Sequence, residues 1–412
     1  MKRTEDVTCC VVDSGGNYIA LAQRLSKEYK KVYYTAPSWV SAYPKMHDAL
    51  VGQGWDDIEA VDNPFDCYNY VDLWCFPDTY YGPFQNWLVD QGEKVWGCRS
   101  GEEMELQRDD LKEHMLKLGL PVQPYESIKG TTNLREFLKE NENVYVKINK
   151  WRGLVETFHS KNYTLVKPKI DQIEHHLGAF SEEIQYVVEQ PIDGVEVGYD
   201  GWTIDGKYPE YCLSGIEIKD KCYVGEWMEY KDIPTQITDF NVAMSDTFKG
   251  YGFRGFFSTE IRVADKPYMI DFTARTPCPP GELYHLMISN LGECIWAGAN
   301  GELRVPTAAK KFGVELMINS DEAKHNFQPI YYPDKYADNI KLKKSCIIDA
   351  VRYVIPMSES EDVGAIVAIG DTLEEAIDEV LVISETIEGL GLQIRKDAVE
   401  GAVEELNKSR KL

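Results

Sequence analysis

The chain has 412 residues, 43% of them hydrophobic and 12% aromatic, and a formal net charge of −24. That length implies two to four domains, and the acidic balance argues against a nucleic-acid duplex as partner, since such a surface needs a basic footprint. No stretch approaches the roughly 20 apolar residues of a membrane span, and the opening "MKRTEDVTCCVVD" has no long apolar run before a cleavage site, so a cytoplasmic protein without a membrane partner is expected.

Residues 1–100 read as alternating strands and helices. "VTCCVVD" (7–13) is a continuous apolar run, as in a buried parallel strand; "SGGNY" turns the chain, and "IALAQRLSKEY" has apolar residues at helical spacing. "KVYYTAP" (31–37), "YVDLWCFPD" (70–78) and "KVWGC" (94–98) supply further strands, with "GPFQNWLVDQG" a helix. This alternation predicts a doubly wound parallel sheet. Residues 101–125 read as one long amphipathic helix, "EEMELQRDDLKEHMLKLGL", stopped near Gly119 and Pro121. "NENVYVKINKWRG" is a strand carrying Lys147. "EEIQYVVEQPIDGVEVGYDGW" (182–202) gives two strands around a turn at Asp193-Gly194, and "STEIRVADKPYMIDFTARTP" (258–277) gives a hairpin. The fold class expected is α/β with α+β: the parallel sheet over 1–100, an α+β region over 101–307, and a small C-terminal α+β domain over 308–412 with one strong helix and a final helix. Of the ten cysteines, only Cys9 and Cys10 are close and no C-x-x-C occurs, so reduced, mostly buried thiols are expected.

Four groups of residues can carry chemistry. Ser14-Gly15-Gly16, between a strand and a helix, can offer N–H groups to an anion; glycines needed only for a tight turn fit equally well. Lys147, inside an apolar strand, is either an edge lysine reaching water or a phosphate contact, and Lys150 and Arg152 just beyond favour the second. Around "VVEQPIDGVE", the backbone of Gln190 and Ile192 can pair with an adenine edge and Glu196 can accept ribose hydroxyls; alternatively Glu189 and Glu196 are surface carboxylates beside a hairpin. In the 258–277 hairpin, Glu260 and Asp271 occupy interior positions, where they either pair with Arg262 or Arg275 or hold a cation such as Mg²⁺. The order of basic strand, hinge and acidic hairpin points to a nucleotide site.

In that order the pieces resemble the ATP-grasp ligases, in particular glycinamide ribonucleotide synthetase (phosphoribosylamine-glycine ligase). "DSGGNYIALAQRL" is similar to that family's G-S-G-G-R-E-H-A-L-A, "DLWCFPD" to D-L-V-V-V-G-P-E, and "ELQRDDLKEHMLKLGLPV" to L-E-G-S-K-x-F-x-K-x-x-M…G-I-P. "VEQPIDGVE" is similar to E-x-x-L-x-G-x-E, "IDFTARTPCPPGE" to I-E-F-N-x-R-F-G-D-P-E, and "GAIVAIGDTLEEAIDEV" to V-x-x-x-G-x-x-L-x-E-A. The resemblance spans nearly the whole chain. It implies central ATP-grasp lobes, with ATP and Mg²⁺ (or Mn²⁺) as cofactors. It implies ATP contacts at Arg108, Lys147, Glu189, Gln190, Ile192 and Glu196, metal ligands at Glu260, Asp271 and Thr273, and Arg275 as the catalytic residue on the transferred phosphoryl group. Substrate and its phosphate are implied at Ser14, Gly15, Gly16, Asn17 and Asp78. The implied reaction converts a small-molecule carboxylate, an amino acid such as glycine, to an acyl phosphate that an amine then attacks. A ligase for a different amine or a modified nucleotide, or a nucleotide-binding protein that kept the fold without turnover, is the alternative. The sequence departs from the family where Asn17, Tyr18 and Ile19 replace Arg-Glu-His, where Thr273 stands for Asn, and where "KWRGLVET" replaces a glycine-rich flap.

Overall fold

A computed structural model describes residues 1–36, 46–150, 157–356 and 361–411. Arg152 and most of the "KWRGLVET" stretch (151–156) lie outside the described residues. The chain forms two compact units, neither of them one continuous stretch. The larger comprises Met1–Glu102, Val197–Thr259 and Thr273–Leu412; the smaller comprises Glu103–Glu196 and Glu260–Phe272.

In the larger unit, strands β1 (Thr8–Val12), β2 (Lys31–Thr35), β3 (Glu59–Ala60), β4 (Leu73–Cys75) and β5 (Val95–Trp96) form the expected parallel sheet in the order β3-β2-β1-β4-β5. All five residues of β1 are buried, which is why this strand reads as an unbroken apolar run. Helix α1 (Ile19–Ser26) buries Ile19, Leu21, Ala22 and Leu25 in the same core as Val11, Val32 and Leu73. Side chains of this size are each worth roughly 1.5–3 kcal/mol when fully buried. The chain leaves β1 first toward β2 and later returns to its other side as β4. The carboxyl ends of β1 and β4 are therefore the switch point of the sheet, where open α/β sheets receive ligands.

The smaller unit is built on β6 (Tyr125–Lys129), β7 (Val144–Ile148), β8 (Thr157–Ser160) and β9 (Gln185–Glu189), antiparallel in the order β6-β9-β7-β8. Alternation places Val144, Val146, Ile148, Tyr186 and Val188 in one core with Leu134 and Leu138 of helix Thr131–Glu140 and Ile170 and Ile173 of helix Tyr163–Leu177. Lys147 and Glu189 fall on the other face. β7 is paired on both sides, so the edge-strand alternative for Lys147 does not hold. Two further expectations change. Residues 182–202 do give strands on either side of Asp193-Gly194, β9 and Val195–Ile204, but not a hairpin, because β9 pairs with β6 and β7; the next N–H, from Gln190, goes to Pro124 O at 3.1 Å. The long helix over 101–125 is broken at Gln107 into Glu103–Leu106 and Arg108–Lys117. There the end of β7 takes the backbone groups a continuous helix would use: Arg108 N–H donates to Asn149 Oδ1 at 3.1 Å, and Leu106 O accepts from Lys150 N–H at 2.6 Å.

The remaining strands are β10 (Val195–Ile204), β11 (Tyr211–Ile218), β12 (Cys222–Glu229), β13 (Arg254–Val263), β14 (Pro267–Thr273), β15 (Phe312–Ser320), β16 (Gln328–Ile330), β17 (Ile340–Leu342), β18 (Ser345–Ile348), β19 (Val351–Val354), β20 (Asp362–Gly370) and β21 (Leu392–Ile394). In the larger unit they build a sheet ordered β13-β10-β11-β12-β15-β20-β17, with β21 on β15 and a small β16-β19-β18 sheet apart. Strands after residue 308 thus continue a sheet begun near residue 197. The strong C-terminal helix, Leu373–Ser384, starts with a capping box between Thr372 and Glu375. All ten cysteines are free, nine of them buried. Among the described residues, no helix is long and apolar enough to cross a membrane.

Candidate active site

Within the smaller unit, the polar face of the β6–β9 sheet gathers charge. Glu189 is 1% exposed, and its carboxylate takes Lys112 Nζ at 2.7 Å, Gln123 Nε2 at 2.6 Å and Lys147 Nζ at 3.4 Å. Lys147, 4% exposed, also donates to Ile270 O at 2.5 Å and to Asp271 Oδ1 at 3.3 Å. Burial pulls the Lys147 pKa down, but Asp271 and Glu189, with Glu260 adding, outweigh it and hold the ammonium above its ordinary value. Lys112 goes the other way. Its burial and the repulsion of Lys147 exceed the pull of Glu189, and its pKa is lowered. Arg108 Nη1 donates to Ile148 O at 2.7 Å. A cleft of about 10 Å³, room for roughly one water, is lined here by Arg108, Lys112, Lys147, Glu189 and Asp271 among apolar Met104, Leu111, Met269 and Phe272. Three cations face two carboxylates, in a chain whose net charge is −24.

Of the residues expected at a nucleotide, the smaller unit thus brings together Arg108, Lys147, Glu189, Glu260 and Asp271. Glu196 stands apart in an ion pair with Arg262, at 2.6 Å. The side chain of Gln190 is exposed and that of Ile192 half-buried. Thr273, the last residue of β14, and Arg275 belong to the larger unit. Among the described residues, no three His, Cys, Asp or Glu side chains cluster as metal ligands. Lys112, Gln123 and Asn149 were not singled out from the sequence. The signal for Lys112 was present: it lies four residues after Arg108, on the same helix face.

Within the larger unit, the switch point holds the other expected residues. Asp13, fully buried, ends β1 and folds its carboxylate back into the turn. It accepts N–H groups from Gly15 at 3.0 Å, Gly16 at 2.8 Å and Tyr18 at 2.7 Å, and the Tyr34 hydroxyl at 2.8 Å. Gly16, at φ +72°, allows the tight turn that aims these groups inward. The amides expected to greet a substrate phosphate are therefore filled by the chain's own carboxylate. Burial raises the Asp13 pKa, yet all four partners are donors, so the ionised form is the one the turn holds. Ser14 Oγ donates to Asp78 Oδ2 at 2.7 Å, and Asp78 Oδ1 accepts from Thr79 N–H at 2.8 Å. Arg275 Nε lies 3.9 Å from Asp78 Oδ1. Structure thus joins Ser14 to Asp78, and Asp78 to Arg275.

No protein-family model matches the chain, and no curated protein matches it. Solved structures do. Phosphoribosylamine-glycine ligase from Thermotoga maritima superposes with a TM-score of 0.67 at 16% identity, over 95% of this chain and 100% of that one. The biotin carboxylase domain of 2-oxoglutarate carboxylase from Hydrogenobacter thermophilus, determined with MgADP and bicarbonate, gives 0.63 at 14% over 95% and 92%. N5-carboxyaminoimidazole ribonucleotide synthetase from Thermus thermophilus gives 0.58 at 12% over 92% and 98%. The fold is that of the ATP-grasp enzymes. At these identities the likeness concerns architecture, and the chemistry rests on the residues above.

Proposed function

We propose that this chain is an ATP-dependent carboxylate-amine ligase working through an acyl phosphate. The observation that carries the reading is the cleft where Arg108, Lys112 and Lys147 converge on Glu189 and Asp271 in an ATP-grasp fold. Three cations suit the phosphates of a nucleotide. Glu260 and Asp271 offer the oxygen ligands Mg²⁺ prefers, with Thr273 two residues along the strand, and phosphates complete such a shell. When bound, Mg²⁺ neutralises charge on the β- and γ-phosphates. Lys147 holds its proton at neutral pH through Asp271 and Glu189 and acts as a fixed positive charge, not a base. Gln190 spends its N–H on Pro124, so adenine pairing runs through the Gln190 carbonyl and the Ile192 N–H, with Glu196 toward the ribose. Arg275 stabilises the transferring phosphoryl group. Catalysis of this kind is positioning and charge neutralisation, and needs no nucleophilic side chain.

The carboxylate substrate in this reading is an amino acid such as glycine, as in the reaction class of phosphoribosylamine-glycine ligase, and the other substrate is an amine. The test is amine-dependent ADP release by the purified chain with ATP, Mg²⁺ and panels of amino acids and amines. Asp271→Asn abolishes that release while the far-UV spectrum is kept. Full activity in Asp271→Asn overturns the site assignment. ATP binding without release for any acceptor favours a nucleotide-binding protein that kept the fold without turnover.

A further inference from the structure

The switch point of the larger unit contains a cation that the chain itself does not use. Lys344 lies between β17 and β18 at φ +49° and is 5% exposed. Its N–H donates to Gly16 O at 2.6 Å and its carbonyl accepts from Ile355 N–H at 2.8 Å, which pins it against the Ser14–Gly16 turn. Its ammonium makes no hydrogen bond or ion pair among the described residues. The charges that act on it are those of Asp362 and Asp13, which attract, and Lys343, which repels; the Cys278 thiol stands beside them. The neighbouring Lys343, 1% exposed, contrasts sharply, with Asp362 at 2.8 Å, Glu282 at 3.1 Å and Cys278 Sγ at 2.5 Å. Burial lowers the Lys344 pKa, and an ammonium so desolvated, with no bonded partner among the described residues, is costly; the turn beside it, Ser14 to Tyr18, carries no basic residue of its own.

The charge around this point limits what can dock. Asp13, Asp78, Asp362 and Glu282 are the carboxylates, and Arg275, Lys343 and Lys344 the cations. Glu315 is buried beside Glu282, and burial and that neighbouring charge raise its pKa well above the ordinary carboxylate value. Lys341, whose charge reaches Glu282, brings these groups close to balance. A phosphate group would bring up to two negative charges against turn amides already bound to Asp13. A molecule carrying one carboxylate and one amine brings no net charge and can present its amine to the acidic side, at Asp78.

We propose that Lys344 is the docking point for the carboxylate of the amine substrate, and that this substrate is an amino acid rather than a phosphorylated sugar amine. This rests on the ligase reading and extends it: the product is a peptide-like amide.

The test is direct binding, measured by titration calorimetry on the full chain without ATP or Mg²⁺, so that it stands apart from turnover. The probes are a panel of L-amino acids and ribose 5-phosphate. An amino acid is expected to bind, and Lys344→Met to weaken it roughly 10- to 100-fold, the worth of one charge-assisted hydrogen bond; Lys344→Arg restores most of the loss, and ATP affinity measured separately stays within about twofold. Lys344→Met is also expected to raise Tm, because it removes a charge that burial desolvates. The proposal is overturned if no amino acid binds at millimolar concentration, if binding is unchanged in Lys344→Met, if that variant lowers Tm as a structural cation would, or if ribose 5-phosphate binds more tightly than every amino acid. Loss of ADP release with Lys344-dependent amino-acid binding intact would sink the ligase reading alone.

Discussion

Lys147 in the smaller unit and Lys344 in the larger are both almost wholly buried, at 4% and 5% exposure, yet their surroundings are opposite. Lys147 is held by Asp271, Ile270 O and Glu189; Lys344 has no counter-group bonded to it among the described residues, and burial lowers its pKa. The first arrangement is complete without a ligand. Its ion pairs fix positions but add little net stability beyond repaying desolvation. The second carries a desolvation cost that an added anion removes. The contrast teaches that a buried lysine can serve a site in two ways, with its position fixed by the chain's own carboxylates or with its charge left open to an added anion.

The largest effect is expected where the paired side is broken at its centre. Glu189→Leu strands Lys112, Lys147 and Gln123 together, and is expected to cost about 3–5 kcal/mol by denaturant unfolding. A loss below about 1 kcal/mol would show that Glu189 is not the hub. Next comes Asp13→Asn, which sets an amide NH₂ against three backbone N–H groups and a hydroxyl. A loss of about 2–4 kcal/mol is expected, with amino-acid binding reduced as the turn relaxes. No loss would mean the turn holds without its internal anion.

Another lysine of the same "KLKK" run sharpens the comparison. Burial is the main cause that lowers the Lys341 pKa to about 8. Between about 8 and the ordinary value near 10.4 the unfolded chain binds more protons than the folded one, so this group's contribution to stability rises with pH across that window and is flat below it. Lys341→Met removes the slope. Its stability advantage over the parent is expected to be about 2–3 kcal/mol at pH 7 and to shrink toward zero by pH 10.5. A pH-independent difference in paired unfolding curves would refute it. The smallest effect is at the half-exposed Arg262–Glu196 pair: Arg262→Ala is expected to change stability by under about 1 kcal/mol, although nucleotide affinity shifts if Glu196 meets the ribose. A large loss of stability there would blur the distinction between interior and surface pairs.

Much of the architecture was legible because it rests on local pattern. The apolar run 7–13, the glycine turn and the helix after it dictate a parallel βα unit wherever they occur, and the structure has it. Lys147 stood out because a lysine interrupts an apolar strand, and Asp271 and Glu260 because they interrupt another. What stayed hidden depends on contacts distant in sequence. Gln107 sits in a fully helical pattern, and only Asn149 and Lys150, from the end of β7, explain the break. Asp13 looks like the last residue of a strand until its carboxylate is seen to fill the turn ahead of it. Lys344 lies in a short basic run that carries no local sign of burial; its burial follows from β20 and the Ser14–Gly16 turn, the latter far away along the chain.

The division of the smaller unit between Glu103–Glu196 and Glu260–Phe272 has a consequence for biosynthesis. Lys147 leaves the ribosome 124 residues before Asp271, about 6–25 s earlier at ordinary elongation rates. Until the second segment emerges, the nascent unit lacks the carboxylate and the carbonyl that hold its central lysine. Its completion is therefore timed by translation of residues 197–259, which belong to the other unit. A ribosome stalled before residue 260 should carry a protease-sensitive smaller unit, and one stalled well beyond residue 272 a resistant one.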